Sequence, residues 1–271
     1  MTGPDFDHFC RLMRDRSGLV LSASKAYLVN GRLEPVARAA GLESVEALLT
    51  RLRMGVPDDL IRKCADAMAT HESSFFRDGG PFEYIAGEVI PGLIAKRSAS
   101  RRLRIWCAAC SSGQEPYSMA MILKENPLLA GWSLEIVATD MSEGILGKAR
   151  EAIYSDFEVR RGLAPERLSR WFEPHGADWR VLPALRQMIG FQPHNLLHGA
   201  TGLGAFDLIL CRNVLIYFDL PRKREVFAHL DRALAPDGTL CIGSSETVMG
   251  IVDAFAPLDG ARGLFRKAAP A

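Results

Sequence analysis

The chain has 271 residues, of which 48% are hydrophobic and 24% charged, with a formal net charge of +1. Such a composition belongs to a globular protein with a full core, and a charge so near zero excludes whole-molecule attraction to nucleic acid or an anionic membrane. No apolar run reaches the roughly 18 residues of a membrane span, and the N-terminus, MTGPDFDHFCRLMR, lacks the basic-then-apolar build of a secretory signal, so the expected compartment is the cytoplasm.

Residues 1–69 carry only helical periodicity. Phe6, Phe9, Leu12 and Met13 form one stripe, Leu28, Leu33, Val36 and Ala37 a second, Val45, Leu48, Leu49 and Leu52 a third, and Leu60, Ile61, Cys64 and Met68 a fourth. Breaks at Ser17-Gly18, Ala40-Gly41 and Gly55-Val56-Pro57 separate them. Charges nearly balance here, as on a solvated helical surface, but Lys25, Arg32 and Arg38 are the candidates for a local basic face that docks an acidic partner. Residues 70–102 read as a connecting segment. Thr70 to Asp78 is dense in polar groups beside Phe75 and Phe76, Gly79-Gly80 breaks the chain, and Phe82, Ile85, Val89 and Ile90 suggest a helix.

From Leu103 strands and helices alternate, which assigns 103–271 to an α/β domain. The stretch LRIWCAACSSGQEPYSM begins as a buried strand, passes through the small residues Ala108, Ala109, Ser111, Ser112 and Gly113, and opens a helix with Pro116 in its first turn. Strand, small-residue turn and helix N-terminus make the first βα unit of a nucleotide-type site. There is no phosphate-cradling Gly-x-x-x-x-Gly-Lys-Ser/Thr and no full Gly-x-Gly-x-x-Gly. Glu115 would repel a pyrophosphate and suits a ligand with an ammonium group. The second strand, Leu134 to Asp140, ends on an acid able to accept both ribose hydroxyls; the competing reading makes Asp140 the N-cap of a helix from Met141 to Arg150.

An excursion follows at about 152–187, too long for an ordinary crossover, with Arg167 to Phe172 helical and Trp179 to Leu185 extended. Strands near Met188 to Phe191 and at Phe206 to Cys211 lead into Asn195 and Asn213, whose amides could read an adenine edge and an amino-acid carboxylate. Asp219 caps the next helix, Asp237-Gly238 turns into a strand from Thr239 to Ile242, and Phe255 to Arg266 reads as a closing antiparallel pair. Cys107 and Cys110 form a CxxC, but no second pair of ligands accompanies it, so the reading is packing in a tight turn and no metal site. No Gly-x-Ser-x-Gly nucleophile elbow occurs.

The motifs THESSFFRD, WCAACSSGQEPYSMAM, VATDMS, FQPHNLL and FDLILCRNVLIYFD closely resemble those of the chemotaxis receptor methyltransferases of the CheR type. The resemblance runs from about Phe6 to Phe265. It implies a small all-α N-terminal domain (1–69), then a Rossmann-like class I methyltransferase sheet with a small β-subdomain inserted at about 152–187. The implied cofactor is S-adenosylmethionine, with S-adenosylhomocysteine as product, and the implied reaction methylates glutamate side chains of chemoreceptors. Carried over motif by motif, the implied cofactor contacts are His71, Ser73, Arg77, Ala109, Glu115, Asp140, Asn195, Leu196, Asn213 and Val214. His71 stands where the best-known members have Asn, and Ser73 where they have Thr. Arg77 would orient the substrate carboxylate and Tyr217 would help to wall the methyl group.

A glutamate carboxylate is already an anion at pH 7, so this reaction needs no general base. The implied partner is the helical cytoplasmic bundle of a chemoreceptor, met by a monomeric enzyme without membrane insertion. Some relatives capture a receptor C-terminal peptide on the β-subdomain; here the corresponding loop, Glu173 to Asp178, is short, and no dependence on such a peptide is expected. Two other readings compete. Amino methylation of nucleic acid would want prolines in the turn Asn213-Val214-Leu215-Ile216-Tyr217, which has none. A non-catalytic sensor or scaffold would bind S-adenosylmethionine without transferring its methyl group.

Overall fold

The computed structural model describes residues 3–21, 26–55 and 57–268. The chain divides into two compact units, Met1–Thr70 with Tyr217–Lys223, and His71–Ile216 with Arg224–Ala271. The first is helical: α1 (Pro4–Ser17), α2 (Ala26–Ala39), α3 (Val45–Arg53) and α4 (Asp58–Met68) bury Phe9, Met13, Val29, Leu33, Leu48, Leu49 and Cys64. Ser44 caps α3 by accepting from Ala47 N, and Gly18 ends α1 in the left-handed conformation. The ring of Phe218 packs so closely on Gly18 that a Cβ there would meet it at 2.8 Å.

The second unit is built on a seven-stranded sheet. In chain order β1 (Arg102–Ala108), β2 (Ser133–Asp140), a three-stranded excursion of β3 (Ile153–Ser155), β4 (Phe172–His175) and β5 (Asp178–Val181), then β6 (Ile189–Pro193), β7 (Phe206–Cys211), β8 (Leu234–Ile242), β9 (Phe255–Pro257) and β10 (Leu264–Lys267). The large sheet has the order β6-β2-β1-β7-β8-β10-β9. Its first five strands are parallel and β10 runs antiparallel to both neighbours. Strand order reverses between β1 and β7, and in open α/β sheets the crevice at the carboxyl end of that point holds the ligand. Among the described residues no helix is long and apolar enough to cross a membrane.

The stretch 71–102 contributes Phe75, Phe82, Ile85, Val89, Ile90 and Leu93 to the core under this sheet. Its helical part widens into a π turn at Ile85–Val89 before resuming at Ile90–Lys96. Pro91 has no N–H to return to the carbonyl four residues back, which accounts for the widened turn. Three sequence expectations shift in the structure. Asp237 and Gly238 lie inside β8, at a register irregularity against β7. The helix after β2 is Glu143–Glu151 and its N-cap is Ser142, whose hydroxyl accepts from Ile145 N, so Asp140 does not cap it. Extended backbone in the excursion stops at Val181, because Pro183 opens a short helix, Pro183–Arg186.

The excursion forms its own antiparallel sheet in the order β3-β5-β4 and is fixed to the rest of its unit by contacts that include the following. Glu125, last residue of the helix Gln114–Glu125, takes Arg167 Nη2 at 2.8 Å and Trp171 Nε1 at 2.9 Å. Phe75 meets the rings of Tyr154 and Phe172 edge-on, with centroids 5.0 and 5.5 Å apart. Gly162 lies against the same segment: at φ 104°, a Cβ built on it would lie 1.9 Å from the carbonyl oxygen of Phe75. Backbone cannot yield there as a side chain can. Gly162→Ala should therefore destabilise the fold by about 1–3 kcal/mol, measured as a lower urea midpoint, and an unchanged midpoint would show that this contact is not tight.

Candidate active site

The loop from β1 to the helix Gln114–Glu125 turns through left-handed residues at Ala109 (φ 61°), Ser111 (φ 51°) and Gly113 (φ 95°). Gly113 is needed for space as well, since a Cβ would meet Ala149 Cβ and the Tyr154 hydroxyl at 3.0 Å. Cys110 N donates to Thr139 O at 2.8 Å and Tyr154 Oη to Ser112 O at 2.7 Å. These bonds hold the loop over the ends of β1 and β2. Asp140, 7% exposed, accepts from Ser111 N on Oδ2 (2.9 Å) and from Ser142 N on Oδ1 (3.1 Å). Each carboxylate oxygen has a further lone pair. Its position at the end of β2, beside a small-residue cradle, fits the vicinal hydroxyls of a ribose.

Glu115, in the first turn of the helix, meets Arg212 Nη1 at 3.2 Å. Arg212 follows β7 and its side chain is 2% exposed. Its Nη2 donates to Arg77 O at 2.7 Å and to Asp78 Oδ2 at 3.0 Å, and its guanidinium lies 5.1 Å from the centre of the Phe82 ring. Nε is buried and has no hydrogen-bond partner. Burial pushes the Glu115 carboxyl above its usual range, while the Arg212 charge and hydrogen bond pull it back. A buried carboxylate held by one cation suits an ammonium as a second one. Arg77 donates from Nη1 to Glu72 O at 2.8 Å, and Glu72 in turn pairs with Arg161 at 2.7 Å.

The structure gathers most of the sequence candidates on this carboxyl edge. His71 is half-buried and its carbonyl accepts from Ser111 Oγ at 3.2 Å, so its segment touches the loop through backbone. Ser73 is half-buried nearby in sequence. Asn195 follows β6; its Oδ1 accepts from Leu197 N at 3.0 Å, and Leu196 is buried with its carbonyl 3.0 Å from His229 Nδ1. Asn213 (φ 57°) and Val214 follow Arg212, both half-buried. Tyr217 groups with the helical unit, where its carbonyl accepts from Val20 N at 3.0 Å.

Two of the three candidate docking cations lie among the described residues. Arg32 Nη1 donates to Met68 O and Ala69 O, at 2.6 and 3.2 Å, closing the C-terminus of α4. Arg38 is exposed and paired with Glu34 at 2.9 Å one helical turn away, and Lys25 lies outside the described residues. Arg32 Nη2 lies at the exposed surface, 3.3 Å from Thr70 Oγ1. The Cys107 and Cys110 thiols are buried and pushed well above the usual thiol range by that burial, as packing groups are. No cluster able to hold a metal ion occurs among the described residues. Sequence reasoning passed over Arg212, although it adjoins Asn213, and Glu246, whose carboxylate caps the turn after β7. Both act on residues far away along the chain, and no local spacing marks them.

Comparison with known proteins shows the family. A family model described as CheR methyltransferase, SAM binding domain, matches residues 71–264, and one described as CheR methyltransferase, all-alpha domain, matches residues 4–69. The chain is 37% identical to Chemotaxis protein methyltransferase Cher2 of Pseudomonas putida over 269 residues, covering 97% of this chain and 98% of that one. It is 39% identical to Chemotaxis protein methyltransferase 1 of Pseudomonas aeruginosa, covering 97% of each. To Chemotaxis protein methyltransferase 1 of Vibrio cholerae it is 40% identical, covering 93% of this chain and 92% of that one.

Removing the guanidinium leaves Glu115 buried and unpaired. Arg212→Met should cost about 3–5 kcal/mol of unfolding free energy at neutral pH. Glu115, already raised in the fold, rises further without Arg212. A carboxyl raised in the folded state contributes stability below its unfolded pKa and loses it as pH rises through its folded pKa. The difference between variant and parent should therefore shrink from pH 8 towards pH 5, as Glu115 takes up its proton. Denaturant unfolding at both pH values tests this, and a pH-independent difference would deny the Arg212–Glu115 coupling.

Proposed function

The chain belongs to the CheR methyltransferase family, and we propose from that premise that it esterifies glutamate side chains of chemoreceptors in the cytoplasm, with S-adenosylmethionine as methyl donor. Methyl transfer with S-adenosylmethionine follows from the family; the glutamate acceptor is the finer step. Its support is the pairing of Arg77 and Arg212. Arg212 holds the Arg77 carbonyl at 2.7 Å, and so seats a half-buried cation beside the site from the backbone. A carboxylate acceptor arrives as an anion, so what it needs is direction, and a guanidinium gives direction by bidentate hydrogen bonds.

Bound S-adenosylmethionine supplies an electrophilic methyl group on a sulfonium that is its own leaving group. The chain's share is alignment. Asp140 would hold the ribose hydroxyls and Glu115 the ammonium, with Ala109 and the loop to Gly113 among the cofactor contacts. His71, Ser73, Asn195, Leu196, Asn213 and Val214 would complete those contacts, and Arg77 would turn the acceptor carboxylate without neutralising it. Such positioning supplies about 7–11 kcal/mol of barrier reduction. Neither Glu115 nor Asp140 is called on to accept a proton, because an acceptor carboxylate is already an anion at pH 7.

No dependence on a receptor tail peptide is part of the proposal. A peptide added as a strand needs a free edge with donors and acceptors. β3 has three residues and β4 four, and β4 carries Pro174, a residue strands admit where its missing N–H faces outward. The hairpin β4–β5 turns in two residues, Gly176 and Ala177.

Incubation with methyl-labelled cofactor and receptor cytoplasmic fragments tests the acceptor. The label should be released as volatile methanol by alkali, as an ester requires, and alkali-stable label would assign another acceptor. Asp140→Ala should weaken S-adenosylhomocysteine binding at least tenfold by calorimetry, the loss of charged hydrogen bonds being worth about 1.5–3 kcal/mol; unchanged affinity would remove Asp140 from the site. Receptors with and without their C-terminal tails should be methylated at similar rates, and a large loss on tail removal would refute independence from the peptide.

A further inference from the structure

The loops after β7 and β8 meet on the carboxyl edge of the sheet. β7 runs into Arg212, Asn213, Val214 and a single 3-10 turn at Leu215–Tyr217, while β8 ends at Ile242 and bends so that Glu246 N donates to Gly243 O at 2.9 Å. Five backbone N–H groups converge on the Glu246 carboxylate. Oε2 accepts from Asn213 N at 2.8 Å and Gly243 N at 2.7 Å. Oε1 accepts from Val214 N, Leu215 N and Ile216 N at 3.0, 2.7 and 3.3 Å.

The first N–H groups of a helical turn have no partner inside it, and a run of them makes a concave site for an anion. Here the chain supplies that anion itself. The approach is close: a Cβ on Gly243 would lie 2.7 Å from Glu246 Oε2 and 2.9 Å from Asn213 N. Asn213 is held at φ 57°, a conformation that Asn accepts more readily than most residues, with its N–H pointed at the carboxylate.

We infer that Glu246 is a positioning residue for methyl transfer, an internal anion that clamps Asn213 and Val214 in place on the cofactor edge. This rests on the reading of those two residues as cofactor contacts. Because their backbone N–H groups are taken, the turn meets a ligand with side chains and carbonyl oxygens.

The test is calorimetric titration of the full chain with S-adenosylhomocysteine. Glu246→Ala should weaken binding about tenfold. It also empties a pocket lined by five N–H donors, so millimolar formate should restore most of the lost affinity, whereas neutral formamide should not. A residue that only supports the fold would change the thermal midpoint without this shape- and charge-selective rescue. Unchanged affinity in Glu246→Ala, or weakened affinity that formate leaves as it is, overturns the inference. If Glu246→Ala does not fold, Glu246→Gln keeps the shape but sets an NH2 against these donors; weakened binding supports the clamp and parental binding refutes it. Asn213→Ala separates the two readings. Weakened binding there with an unaffected Glu246→Ala keeps the contact and rejects the clamp. An unaffected Asn213→Ala with a formate-rescued Glu246→Ala rejects the contact and keeps the clamp, acting then through Val214.

Discussion

One buried guanidinium holds the active edge together. Arg212 reaches from the end of β7 to Glu115 on the first helix after β1 and to Arg77 and Asp78 in the segment before the sheet. A cation removed from water must be matched by charge and hydrogen bonds, or it unfolds its surroundings. Two carboxylates, one carbonyl and the face of Phe82 do this, and only Nε is left without a partner. Glu115 and the backbone of Arg77, on two distant segments, are thus set by a single group. Displacing Arg212 would disturb both at once.

The two edges of the sheet use charge in opposite ways. At the amino edge, Arg97 bridges Asp207 and Asp237, and Arg104 bridges Glu135 while its own N–H donates to Asp207. Glu135 there is pulled down to about 2, chiefly by the Arg104 hydrogen bond. All but the buried Asp207 remain partly open to water, and their pairing ties neighbouring strands together at this edge. At the carboxyl edge, burial drives Glu115 the other way. Desolvation dominates at the one edge and pairing at the other.

Legibility in the sequence followed the range of the forces involved. The unit from Leu103 to Met119 could be read because strand, small-residue loop and helix are consecutive and each has its own pattern. Asp140 stood out as an acid at a strand end, although Ser142 two residues on proved to be the cap. Arg212 and Glu246 carry no such mark: the first acts on a residue 97 positions away and the second on one 33 positions away. The excursion was visible as an anomaly of length, yet its strands of three and four residues are too short for alternation to show. The bond from Arg32 to the end of α4, 36 residues later, has no local mark either.

The inserted sheet is seated on both ends of one helix. Glu125 ends the helix whose first residues, Gln114 and Glu115, stand at the loop after β1, and Tyr154, at the other side of the insertion, bonds directly to that loop through Ser112. The helix is thus clamped like a rod at two points, and the insertion and the loop shift together or not at all. Loosening either clamp would let the rod pivot about the other.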